Sequence, residues 1–171
     1  MSMARLLLTR ALPFVAVGLT GVLLSAVLAS EDGHVVVANR ASGNVSVIDV
    51  ATNTATPVSL PGMNTPEPMY VVYSPAGGNV FVGDRANNQV VVLRASDFSV
   101  KDTVPAGNGV FHMWASSAVD QLWVNNDVDK TITVIDTITL DVIATVPAHV
   151  ICTNDLDRPE RGAGDCFLVD Q

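Results

Sequence analysis

Several groups of side chains in this sequence have types and spacings that could do chemistry. Asp49 and Asp136 each close a strand-like run, NVSVID (44–49) and TITVID (131–136), where a carboxylate could act as a general base. Arg94 holds the same place in the run between them, so no common charge is required there. Asp ahead of Ala-Thr or Thr-Ile is instead expected to form a turn by accepting hydrogen bonds from nearby backbone. His112 opens HMWAS (112–116), and with Met113 and Trp114 it could ligate copper or flank a haem. The plainer role is a histidine packed beside Met and Trp, since its counterpart upstream is Tyr70. NNDVDK (125–130) offers the oxygens of Asn126, Asp127 and Asp129 to a calcium ion, but it lacks the Gly and distant Glu of a full calcium loop, which favours an ordinary turn. His149 and Cys152 form an H-x-x-C pair, with no second pair at metal-binding spacing.

Other chemistries leave no mark. The sequence has no C-x-x-C-H for covalent haem, no G-x-S-x-G, no H-E-x-x-H and no phosphate-cradling Gly-rich loop, and no cofactor is predicted. Asn44-Val45-Ser46 fits a glycosylation acceptor at a strand start, which matters only in a eukaryotic secretory route.

The elements that position these residues begin after residue 30. Arg5 and Arg10 precede an uncharged stretch from Ala11 to Ser30, with small residues around Val27-Leu28-Ala29, so residues 1–29 read as a secretory signal peptide cleaved after Ala29. The alternative is an uncleaved membrane anchor, because about twenty uncharged residues can span a bilayer. The leader holds two of the nine basic residues and none of the seventeen acidic ones, so the remainder carries seven against seventeen, a net −10. Such a balance offers no electrostatic footprint for nucleic acid and is repelled by anionic lipid. In an exported chain the even pair Cys152 and Cys166 suggests a disulfide, which would restrict the unfolded chain by about 3 kcal/mol; two free thiols are the alternative.

The main signal is an internal repeat. NVFVGDRANNQVVVLRASDFSVKDTVPAG (79–107) lies over QLWVNNDVDKTITVIDTITLDVIATVPAH (121–149) without a gap, at an offset of 42 residues. Thr103-Val104-Pro105-Ala106 recurs unchanged as Thr145-Val146-Pro147-Ala148. VVVANRASGNVSVIDVATNTA (35–55) aligns with the middle copy at an offset of 45, the extra residues falling in the Pro-rich turn MNTPEPM (63–69). Strand-like runs also precede two of the units, MYVVYS (69–74) and HMWAS (112–116). Four β-branched strands recurring every forty-odd residues, apolar on both faces, predict an all-β fold of β-propeller blades, each of four antiparallel strands. A sandwich of hairpins is the runner-up, and it would need stricter one-face alternation.

VVVAN (35–39), NVSVID (44–49), LWVNN (122–126), TITVIDT (131–137) and IATVPA (143–148) resemble the YVTN family of β-propeller repeats over about residues 33–148. The resemblance implies repeats over 30–148, with blades at about 30–62, 69–107 and 111–148, and an irregular tail over 149–171. It places His112 on an inner strand lining a central channel. Relatives with this architecture include surface-layer and cell-envelope proteins, lactonase-like enzymes, amine dehydrogenase heavy chains and haem d1 nitrite reductases.

About three blades make an incomplete ring, since closed propellers use about four to eight. The turn Ser30-Glu31-Asp32-Gly33 looks like the link between first and second strands of a blade, so the first strand of the first blade is missing. The chain reads as a truncated form of a longer propeller. The alternatives are self-association to complete a ring, or an open stack covered by the tail or a partner. The functional expectation is an exported, non-catalytic binding or scaffolding module of the periplasm or cell envelope, with a protein or small-molecule ligand. The alternative is a redox subunit (amine dehydrogenase-like or haem d1-like) or a lactonase-like enzyme using the central channel around His112.

Overall fold

The structure, a computed structural model, describes residues 33–148. The leader (1–29), His149, the Cys152–Cys166 pairing and the tail (149–171) lie outside the described residues. Among the described residues eleven strands run in order: β1 (His34–Asn39), β2 (Asn44–Asp49), β3 (Thr54–Ser59), β4 (Pro68–Ser74), β5 (Asn79–Asp84), β6 (Gln89–Arg94), β7 (Val100–Pro105), β8 (Val110–Ser116), β9 (Gln121–Asn126), β10 (Thr131–Asp136) and β11 (Val142–Pro147). They form three antiparallel sheets of three, four and four strands, each strand pairing only with its neighbours in sequence. The fold is therefore all-β and built of propeller-type blades: β1–β3, β4–β7 and β8–β11. The four-stranded sheets put β4 and β8 on one edge and β7 and β11 on the other.

The repeat survives as register. His34 faces Asp49, Asn79 faces Arg94 and Gln121 faces Asp136 across the equivalent strand pairs of the three blades. The turns repeat as well. Gly43, Asn88 and Lys130 take the left-handed conformation at equivalent places, with φ of 68°, 52° and 58°. Asn53, Phe98 and Leu140 do so in the next turn of each blade, at 54°, 57° and 69°. Only the first of these six is glycine, so the turn geometry is imposed by the strands it joins rather than by a permissive residue. The connection between blades varies instead, covering residues 60–67 after the first and 106–109 after the second.

Both faces of a blade are apolar because blades stack. Phe81, Val90, Val92 and Val104 of the middle blade pack with Val110, Met113, Leu122, Val124 and Ile135 of the third. The opposite face of the middle blade, Val80, Val82, Val91 and Leu93, packs with Val45 and Leu60. We call the face turned to the preceding blade leading, and the other trailing. Gly83 faces the third blade without a side chain: a Cβ there would sit 2.8 Å from Val110 Cγ1 and 3.2 Å from Met113 Sδ.

Among the described residues the first blade has no counterpart of β4 or β8, and β1 lies at the edge of its sheet. A cavity of about 470 Å³ opens beside it, lined by Val36, Val71, Tyr73 and Val80 and by the His34 and Phe98 rings, whose centroids are 5.0 Å apart. Among the described residues, no helix is long and apolar enough to cross a membrane.

Candidate functional site

The inner strands carry the most distinctive side chains. Pairing of β4 with β5 shifts register between Pro68 and Tyr70, and pairing of β8 with β9 shifts between Val110 and Met113. Such irregularities re-aim side chains, and here they act on the aligned positions Tyr70 and His112. The two rings stack with centroids 5.0 Å apart and planes 29° apart, and the Phe111 ring lies 4.3 Å from His112 at 58°. Tyr70 is exposed while Phe111 and His112 are half-buried, so the cluster offers accessible aromatic surface. Met113 points the other way, into the core between the blades, and Trp114 is exposed. His112 is thus held by aromatic contacts.

Asp49 and Asp136 are turn-formers in the structure. Oδ1 of Asp49 accepts from the backbone N–H of Thr52 at 2.7 Å and from its hydroxyl at 3.0 Å. Oδ1 of Asp136 accepts from the N–H groups of Ile138 and Thr139, each at 2.8 Å. Where Arg94 replaces them, Asp97 takes over inside the turn, accepting the Ser99 N–H at 2.9 Å and hydroxyl at 2.7 Å. These bonds favour the ionised forms and hold all three carboxyls below the usual carboxylate range. The linkage has a definite sign. A depressed folded pKa contributes stability that is present above the unfolded value, about 3.9, and is lost as pH falls through the folded value. The urea midpoint should therefore fall as pH drops below about 5. Asp136→Asn, which keeps an acceptor oxygen but cannot titrate, should make that acid limb shallower; an unchanged limb would rule Asp136 out as a contributor.

The three side chains of the calcium-loop reading make separate contacts, and Oδ1 of Asn126 is buried with no hydrogen-bond partner among the described residues. Nδ2 of Asn126 donates to the hydroxyls of Thr131 and Thr133 at 3.0 and 2.8 Å. Arg85 Nη1 of the middle blade lies 3.0 Å from Oδ2 and 2.9 Å from Oδ1 of Asp127. Asp129 accepts from the backbone N–H of Asn108 at 2.7 Å and from its side-chain amide at 2.9 Å. The Asn108 bonds lower the pKa of Asp129, the side-chain bond first. Among the described residues no three His, Cys, Asp or Glu side chains gather to hold a metal ion.

Sequence reasoning missed Asp84, a fully buried carboxylate at the end of β5. It accepts from the Glu67 N–H at 2.8 Å, from the Asn87 amide at 2.6 Å and from the Gln89 amide at 3.1 Å. Asn87 in turn accepts the Asn64 N–H at 2.8 Å. Asp84 thereby anchors the long connection 60–67. The signal was in the repeat, whose second strand ends in Asn39, Asp84 or Asn126 at the aligned position.

These features define a class, the β-propeller-like repeat protein, and solved structures agree with it. The chain is similar to Kuenenia stuttgartiensis hydrazine synthase, with 19% identity and a TM-score of 0.58 over 67% of this chain and 32% of that one. It is similar to the WD40 repeats of RRP9, with 15% identity and a TM-score of 0.60 over 70% and 36%. It is also similar to the dihydro-haem d1 dehydrogenase NirN, with 13% identity and a TM-score of 0.54 over 67% and 25%. The chain spans about a third or less of the length of these proteins. At such identities the likeness is one of fold. No family model matches the chain. Nor does any curated protein.

Proposed function

We propose that this chain is an exported YVTN-type β-propeller-repeat protein that acts as a non-catalytic binding module of the periplasm or cell envelope. The observation that carries this reading is the stacked Tyr70–His112 pair with Phe111, presented where two neighbouring inner strands break register. The blades behind it are stiffened across their ends by Arg85–Asp127 and Asn108–Asp129, which suits a preformed surface. Its ligand is a small molecule or a protein segment with a flat aromatic group. The carboxylates singled out in the sequence have structural roles: Asp49 and Asp136 in turns, Asp127 on Arg85 and Asp129 on Asn108.

A redox reading rests on the same imidazole, in a fold shared with a haem d1 dehydrogenase. Optical and metal analysis of the secreted protein separates the two. The binding reading expects mature protein that begins near Ser30 and is stabilised by an aromatic probe such as indole. Tyr70→Ala and His112→Ala should weaken that stabilisation at least tenfold in probe concentration, with little change in the melting temperature of the free protein. A stoichiometric chromophore or metal lost in His112→Ala would establish the redox reading instead.

A further inference from the structure

We propose that two copies of this chain close on one another, the trailing face of one third blade docking on the leading face of the other's first blade. The argument is continuity with the interfaces inside the chain. Leading positions Val80, Val82 and Leu93 of the middle blade are buried, as are their equivalents Leu122, Val124 and Ile135 in the third. The first blade carries Val35, Val37 and Ile48 at the same places, yet Val35 and Val37 are 48% and 39% exposed where Val80 and Val82 are 4% and 0%. The trailing side mirrors this. Phe81, Val90 and Val104 are buried, whereas their equivalents Trp123 and Ile132 are only half-buried and Val146 is 37% exposed against 3% for Val104.

The two outer faces therefore carry residues of the kind that meet inside the chain, in the same register. The operation that lays the middle blade on the first would lay one copy's first blade on another's third. Such contacts are head-to-tail, and head-to-tail contacts either close into a ring or run on as a filament. Two copies of three blades give about six, within the range of about four to eight found in closed propellers; three copies would exceed it. Closure by two copies is thus the favoured assembly, whatever ligand the ring binds.

Light scattering after size exclusion at tens of micromolar should give twice the mass of the purified chain. Val37→Asp on the leading face and Ile132→Asp on the trailing face should each reduce it to the single-chain mass, because each substitution spoils both contacts of a symmetric pair. An equimolar mixture of the two variants should regain the double mass, since one unaltered leading face and one unaltered trailing face remain. That recovery also shows that both variants are folded. Should circular dichroism show either to be unfolded, Val37→Thr and Ile132→Thr take their place, with at least tenfold weaker self-association expected of each. A single-chain mass for the unaltered protein would overturn the proposal, whether residues 149–171 cover the faces or a different protein does. So would folded variants whose mixture fails to associate, or a double mass that neither substitution alters.

Discussion

Phe81→Ala is expected to destabilise the fold by about 3–5 kcal/mol, the range for deleting a fully buried aromatic ring. Phe81 has no solvent exposure and lies in the cluster that joins the middle and third blades. It is paired with Val72 on one side and Val92 on the other, so the ring lies in the middle of its sheet face. The facing layer includes Leu122 and Val124 on β9, held by strand pairing on either side and poorly able to collapse into the vacated space. Trp123, at the aligned place in the third blade, faces no further blade among the described residues. Trp123→Ala should therefore cost less than half as much when both are measured by urea unfolding at concentrations where the chain is a monomer. Equal losses would mean that the trailing face of the third blade is packed like an internal one.

Asp84→Ala should cost about 3 kcal/mol, because it strands the half-buried Glu67 N–H and two side-chain amides that now share one carboxylate. Hydrogen bonds to a charged group are the stronger kind, and the Asp84 carboxylate itself has no solvent exposure. Asp84→Asn keeps one acceptor oxygen and reproduces what Asn39 and Asn126 offer in the other blades, so its cost should stay near about 1 kcal/mol. The ordering is the test. If Ala and Asn are equally damaging in urea unfolding, the role assigned to the Asp84 hydrogen bonds is wrong.

What the sequence made legible follows the division between strands and stacking. The continuous apolar runs such as Val90 to Leu93 placed the central strands, because a strand buried on both faces must be apolar throughout. The turn role of Asp49 and Asp136 was also readable, since Arg94 breaks the charge pattern without breaking the strand. Contacts between blades were harder to see. Arg85 and Asp127 occupy aligned positions, as do Tyr70 and His112. An alignment presents such residues as alternatives to one another. Only stacking makes them neighbours, and so the ion pair hidden inside the calcium-loop reading became visible only in three dimensions.

The left-handed residues that end the hairpin turns bear on how such a chain can change over generations. Gly43, Asn88 and Lys130 share one conformation despite three different chemistries, and the strand registers around them are the same. A unit of this kind can be copied or deleted whole, because its pairing is settled within itself and its junction with the next is a loop of adjustable length. Gene duplication and recombination would then alter the number of blades without any new solution for the strands.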